Sequence, residues 1–241
     1  MLSARSWGTG PPEVVLLHDG LGSISQWRAV PEAIHDATGR TVLAYERAGH
    51  GSSTPVPTGP WPADWLHHEA VVLADLLDSV GAEQPVLVGH SDGGSISLLA
   101  AAEAGVVAAG VVSLAAHSWV EQVCVDAIAE MRETPDRFVA GLARHHEHPA
   151  AVFEAWSGVW TGDDFRPWDV RGSLATITAP VHVVQGEADE YASPEHVAAT
   201  VDAIGPNARG TLLPGRGHLL HHEAPDVVVE LIAGAVTDWL G

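Results

Sequence analysis

The chain is 241 residues long, 46% of them hydrophobic, and sets 11 basic against 31 acidic side chains for a formal charge of −20. That length buries enough surface to fold without disulfides or a structural metal, and the acidic balance argues against nucleic acid or an anionic membrane as a partner. Every basic residue is arginine, so a Walker A phosphate loop, a Schiff-base nucleophile and a lysine-held pyridoxal cofactor are all excluded.

Met1–Glu13 is polar and rich in Gly and Pro, without the apolar centre of a secretion signal, and no apolar run reaches the roughly 18 residues of a spanning helix. Beyond it, β-branched and Leu-rich runs alternate with stretches of helical spacing. The predicted order is strand Val14–His18, helix Ser25–Thr38, strand Thr41–Tyr45, helix Trp61–Val80, strand Pro85–Val88, helix Asp92–Gly105 and strand Gly110–Leu114. After an interruption come strand Val181–Gln185, helix Glu195–Ile204, strand Thr211–Leu213 and helix Ala224–Leu240. Such alternation predicts an α/β fold, a doubly wound and mostly parallel sheet with helices on both faces. The interruption, about Ser118–Thr178, holds no convincing strand and reads as an inserted cap of two or three helices. The whole chain is thus expected to be one domain, with its core at 1–117 and 179–241 and the cap at 118–178. The single cysteine, Cys124, forms no internal disulfide and no CxxC pair, which predicts a reducing, cytoplasmic setting and a thiol packed within the cap.

In an open α/β sheet, chemistry gathers beyond the carboxyl ends of the strands. The third strand runs into Gly89-His90-Ser91-Asp92-Gly93-Gly94 and then into a helix. A strand, a tight turn and a helix hold a serine hydroxyl above the sheet, with the Asp92 amide and the helix N-terminus aimed at an oxyanion formed on attack. Serine is a weak nucleophile unless a histidine takes its proton and a carboxylate fixes that histidine's tautomer. Asp189 follows one late strand and His218 the next, 29 residues apart, the length of one helix and one strand. Glu187 and Glu190 flank Asp189, whereas Ala115-Ala116-His117-Ser118 after the fourth strand offers no acid. His90 is expected to pack beside the sheet.

On these residues the chain resembles the α/β-hydrolase fold family, from about Val14 to Leu240. Gly186-x-x-Asp189 is similar to that family's acid loop and Gly217-His218 to its histidine loop. Glu46-Arg47-Ala48-Gly49-His50-Gly51-Ser52-Ser53 is similar to its D-x-x-G-x-G-x-S turn, with Glu46 in place of Asp. His18-Asp19-Gly20-Leu21 stands where the family has an His-Gly oxyanion loop, and Asp19 replaces a glycine. The resemblance implies the Gly20 N–H as second oxyanion donor, with Leu21 the alternative. A carboxylate so placed is expected to point away from the oxyanion and pair locally.

The resemblance also implies a serine hydrolase without a cofactor, in which Ser91 attacks, His218 carries the proton and Asp189 orients His218. The expected substrate is a carboxylic ester, lactone or thioester of a small to medium apolar compound. Hydrolysis or lysis of a carbon–carbon bond by the same triad, and a catalytically silent small-ligand receptor, remain open as alternatives. Epoxide hydrolysis and dehalogenation are disfavoured, because relatives doing that chemistry carry Asp where Ser91 stands. Aromatic residues of the cap, Trp119, Trp156 and Trp160, together with Leu21 and Trp27, are candidate pocket walls. The histidine groups His67-His68-Glu69, His145-His146-Glu147-His148 and His218–Glu223 lack H-E-x-x-H or comparable ligand spacing and read as solvated surface, so no metal is expected.

Overall fold

The computed structural model describes residues 1–55 and 59–241. Seven strands among them form one sheet: β1 (Ala4–Trp7), β2 (Val14–Leu17), β3 (Val42–Tyr45), β4 (Val86–His90), β5 (Gly110–Leu114), β6 (Val181–Gly186) and β7 (Ala208–Leu213). Their order is β1-β3-β2-β4-β5-β6-β7, parallel throughout except for β1, which runs antiparallel to β3. The sequence gives no sign of β1. Its segment, Ala-Arg-Ser-Trp, has no apolar run because it lies at a sheet edge with three of its four residues exposed. Its pairing is supplied by β3, Ala4 against Tyr45 and Trp7 against Val42. For a similar reason β7 starts three residues before its predicted bound: exposed Arg209 and Gly210 pair with His182 and Val183 of β6.

Among the described residues ten helices accompany the sheet: α1 (Val30–Thr38), α2 (Trp65–Val80), α3 (Asp92–Ala102), α4 (Gln122–Glu133), α5 (Pro135–Leu142), α6 (Pro149–Trp160), α7 (Arg171–Leu174), α8 (Glu195–Ile204), α9 (Leu220–Glu223) and α10 (Pro225–Leu240). Proline opens α5, α6 and α10, where a missing N–H costs nothing. The predicted Ser25–Thr38 helix is broken in two. A 3-10 turn over Ile24–Trp27 ends at Arg28, whose φ of 52° no continuing helix allows. Between β5 and β6 lie four helices, one more than the most expected, because the single turn α7 is too short to show a period.

The central strands are buried on both faces. In β2, Val14 and Leu16 pack with Ile34 of α1 and Val228 of α10, while Val15 and Leu17 pack with Leu66 and Leu73 of α2 and Ile96 of α3. Each such side chain contributes about 1.5–3 kcal/mol on burial, so register is fixed strand by strand. The second of these cores continues without a break into Ile128, Trp156, Trp160 and Phe165 of the β5–β6 segment. That continuity suspends α4 and the aromatic helix α6 over the carboxyl ends of the strands.

Candidate active site

β4 ends at His90 and α3 begins at Asp92, which leaves Ser91 alone to make the turn, at φ 52° and ψ −120°. A non-glycine residue in that region carries about 1–3 kcal/mol of strain, held in place by its surroundings. Two glycines make the approach possible: a methyl on Gly89 would overlap the Gly93 carbonyl, and one on Gly93 the Leu17 carbonyl of β2. The turn thus sits directly on the neighbouring strand.

Asp189 and His218 follow β6 and β7 and meet. His218 Nδ1 lies 3.0 Å from both Asp189 carboxylate oxygens and donates to them, which leaves Nε2 as the lone-pair nitrogen. The Tyr191 N–H donates to Asp189 Oδ1 at 2.9 Å, and the His218 N–H to Glu190 Oε2 at 3.2 Å, so the two flanking residues of the acid loop brace the pair. Burial pushes the Asp189 carboxyl up, but the hydrogen bond and charge of His218 outweigh it and hold the group below its ordinary value. Burial likewise pushes His218 down, and Asp189 overcomes it, so the imidazolium that proton transfer creates is favoured.

Ser91 and His218 line the same cavity of about 220 Å³. Among the described residues no hydrogen bond joins Ser91 Oγ to His218 Nε2; such contacts tighten when substrate fills a site. The cavity is walled by Leu21, Ile128, Met131, Leu142, Trp156, Trp160 and Tyr191, with Asp19, Asp92 and Glu190 as its charged members and no arginine. Of the five candidate pocket walls, Leu21, Trp156 and Trp160 border this cavity. Trp27 and Trp119 do not. Trp27 is buried in the core beside α1, its ring 4.8 Å from that of His221, and Trp119 stacks on His196 at 3.6 Å with the Arg171 guanidinium 4.4 Å away. Residue type indicates that an aromatic ring will be buried, not on which side. Cys124 is buried as expected, and it also reaches the cavity.

Neither the Gly20 N–H nor the Asp92 N–H has a hydrogen-bond partner among the described residues, which leaves both free for an oxyanion. The Leu21 N–H is taken by Asp19 Oδ1 at 3.0 Å, which removes Leu21 as a donor in this conformation. Asp19 thus pairs locally, although it still borders the cavity. Only glycine fits at position 20, since a methyl there would overlap Trp156 and the Asp92 carboxylate. Asp92 in turn accepts from Trp156 Nε1 at 3.0 Å, tying α6 to the serine turn, and burial raises its carboxyl to about 6.

The residues that hold the His18–Leu21 loop carry no signal of that role in the sequence beyond the Glu46–Ser53 turn. Buried Arg47 donates to the Asp19 carbonyl at 2.6 Å, His18 Nδ1 donates to the same oxygen at 2.7 Å, and His50 Nε2 donates to the Gly20 carbonyl at 2.9 Å. Position 47 and position 50 belong to the Glu46–Ser53 turn, so that motif was the available signal. Within that turn Glu46 accepts from the Ser52 N–H at 3.0 Å. The histidine groups also need correction as solvated surface. His146, His218 and His221 are buried; His146 Nδ1 accepts from the Gly51 N–H and its Nε2 donates to the Leu21 carbonyl, joining the β5–β6 helices to the oxyanion loop. Burial drives His50 and His117 down to about 3 and His221 well below its ordinary value, so these rings stay neutral. His90 is buried beside the sheet as predicted, its Nε2 donating to the His218 carbonyl at 2.9 Å.

A family model described as "Alpha/beta hydrolase family" matches residues 14–231. Among curated proteins, the chain is 25% identical to a 2-(acetamidomethylene)succinate hydrolase of Mesorhizobium japonicum, covering 98% of this chain and 91% of that one. It is 30% identical to a 2-succinyl-6-hydroxy-2,4-cyclohexadiene-1-carboxylate synthase of Salmonella newport, covering 93% of each. Among solved structures, the enol-lactonase of Burkholderia xenovorans superposes with a TM-score of 0.74 at 21% identity, over 98% of this chain and 96% of that one, which shows the fold they share.

Proposed function

Since the chain belongs to the alpha/beta hydrolase family, we propose that it is a serine hydrolase that cleaves the ester or lactone bond of a small, apolar, uncharged or cationic compound through an acyl-enzyme. The observation that carries this reading is the His218 tautomer: Asp189 holds Nδ1–H, so the basic Nε2 belongs to a ring that shares a cavity with a serine at φ 52°. Ser91 Oγ attacks the carbonyl carbon as Nε2 takes its proton. The carbonyl oxygen, now an oxyanion, is received by the N–H groups of Gly20 and Asp92, each donor of this kind worth about 3–4 kcal/mol of barrier. The imidazolium then protonates the leaving alcohol. Water, deprotonated by the same nitrogen, releases the acid and restores Ser91. No step of this sequence calls for a cofactor.

The cavity supports the substrate class. Two of the similar proteins are named for a succinate and a carboxylate. Here the charged lining consists of Asp19, Asp92 and Glu190; Arg47 donates to the Asp19 carbonyl from behind and is not among the described residues that line the cavity, and burial drives His117 down to about 3. A second carboxylate in the substrate would face like charge in a water-poor site. A volume of about 220 Å³, below the roughly 300–1,000 Å³ of drug-sized pockets, favours short acyl groups.

The test combines a fluorophosphonate probe with a panel of p-nitrophenyl esters, lactones and dicarboxylate monoesters. The expected result is covalent labelling at Ser91 and a kcat/KM for acetate or butyrate esters at least tenfold above that for succinate monoesters. Tight ligand binding without labelling would instead support a receptor, and turnover of diketones but not esters would support carbon–carbon cleavage.

A further inference from the structure

Behind the oxyanion loop three side chains converge that the proposed hydrolysis does not use: Asp19 from the loop after β2, His90 from the end of β4 and His221 from α9. One nitrogen or oxygen from each lies within 4.8 Å of the other two. His90 and His221 are buried, and the Nδ1 atom of each lacks a hydrogen-bond partner. His90 Nε2 donates to the His218 carbonyl, which leaves Nδ1 as the nitrogen that faces Asp19 Oδ2, at 3.4 Å. Asp19 Oδ1 is occupied by the Leu21 N–H, which leaves Oδ2 for this contact. A ring nitrogen and a carboxylate oxygen thus face each other without a hydrogen bond in a buried space, beside a second unpartnered imidazole nitrogen, an arrangement that a positive centre between them would satisfy.

Distance distinguishes the candidates. A charge-assisted N–H···O bond, as a protonated His90 would make, is about 2.7–2.9 Å long, shorter than the 3.4 Å found. A water donating to both atoms with hydrogen bonds of about 2.8 Å would hold them about 4.4 Å apart, farther than they are. A tetrahedral divalent ion with bonds of about 2.0–2.1 Å spaces neighbouring ligands by about 3.4 Å. The surroundings match as well. A metal-ligating imidazole commonly donates its other N–H to a backbone carbonyl, as His90 does to His218.

We propose that Asp19, His90 and His221 bind one divalent transition-metal ion, with Zn²⁺ suited to two imidazoles and a carboxylate. Asp19 borders the cavity, which gives the ion a way in and its fourth position an exogenous ligand. The ion fastens the oxyanion loop, the serine turn and α9 to one another. It takes no part in the acyl transfer, so its binding is tested without reference to ester turnover; held by Asp19, it offsets one of the three charges behind the proposed preference against carboxylates.

The chelator-stripped, full-length chain is titrated with Zn²⁺ by calorimetry and with Co²⁺ by visible absorption, and its thermal unfolding is followed with and without Zn²⁺. Expected are one equivalent bound, an intense Co²⁺ band of four-coordinate character and a higher Tm with Zn²⁺. His221→Gln and Asp19→Asn, each checked for folding by circular dichroism, weaken binding at least about tenfold. His68→Gln, at an exposed histidine, leaves it unchanged. Failure of the stripped protein to take up either ion overturns the proposal. Undiminished affinity in both folded variants also overturns it, by assigning the uptake to surface histidines. Should neither variant fold, the Co²⁺ spectrum of the unaltered chain decides, and a weak octahedral spectrum counts against the site.

Discussion

Two of the carboxylate–imidazole pairs among the described residues have a buried ring and are built to the same pattern, suited to different ends. In one, Asp189 receives the His218 Nδ1–H at 3.0 Å; in the other, Glu121 receives the His196 Nδ1–H at 2.8 Å. Both rings are buried, and in both the carboxylate fixes the lone pair on Nε2. The difference lies at that nitrogen. His196 Nε2 accepts the Ser118 N–H at 2.9 Å, whereas His218 Nε2 has no protein partner among the described residues and its ring borders the cavity. A histidine oriented by an acid is therefore not yet a base. It becomes one only where the fold leaves its second nitrogen unused beside a reacting group, and where the fold uses it, the same pair becomes a clasp, here between the start of the β5–β6 segment and α8.

Breaking the first pair should abolish turnover without unfolding the protein. If the proposed triad operates, Ser91→Ala lowers kcat on the order of 10⁵–10⁶-fold in an ester assay, since the members of such a triad act as a unit. Asp189→Asn keeps the shape but allows the wrong tautomer, and a loss of about 10⁴ in kcat is expected with the Tm little altered. A fall below tenfold would show that some other group orients His218. Breaking the second pair should have the opposite signature. His196→Phe keeps an aromatic ring against Trp119 but strands the Ser118 N–H and Glu121; a loss of about 2–3 kcal/mol is expected, read as a Tm lower by about 5–10 °C. The kcat of the folded fraction should stay within about threefold of the unaltered chain.

The smallest effect sharpens the comparison through pH. Burial pushes the Glu121 carboxyl up, but hydrogen bonds from His196 and Ser193 outweigh it and hold the group at about 2, against 4.5 for the free side chain. A carboxyl lowered by folding adds stability above pH 4.5, and that stability is lost as pH falls from 4.5 towards 2. Glu121→Gln should therefore be less stable than the unaltered chain near neutrality by about 1 kcal/mol, the carboxylate being partly exposed, and the gap should close in acid. Denaturant unfolding at pH 7 and pH 3 measures the gap before and part-way through its closing; a gap that stays constant would assign the clasp to shape alone.

Much of the architecture was legible because β2, β4, β5 and β6 are buried on both faces and so read as unbroken apolar runs. The strand β1 and the first half of β7 were not, since edge positions exposed to water carry no such run. Ser91, Asp189 and His218 could be picked out because each follows a strand, where short turns leave few residues to choose among. Trp27 and Trp119 were misjudged as pocket walls for want of direction, and Leu21 as a spare oxyanion donor because nothing in His-Asp-Gly-Leu tells that the Asp19 carboxylate folds back on the next amide but one.

What the sequence by itself determined is what depends on neighbours along the chain: the alternation of strands and helices, the glycines that permit the serine turn, and the order of Ser91, Asp189 and His218. Those follow from hydrophobic period and from backbone sterics, which act over a few residues. Only the tertiary structure decided which imidazoles are buried, that the Nε2 of His196 is used and that of His218 is not, and that Asp19, His90 and His221 face one another. Such outcomes rest on desolvation and on hydrogen bonds between segments far apart in the chain, and no local pattern of residues encodes them.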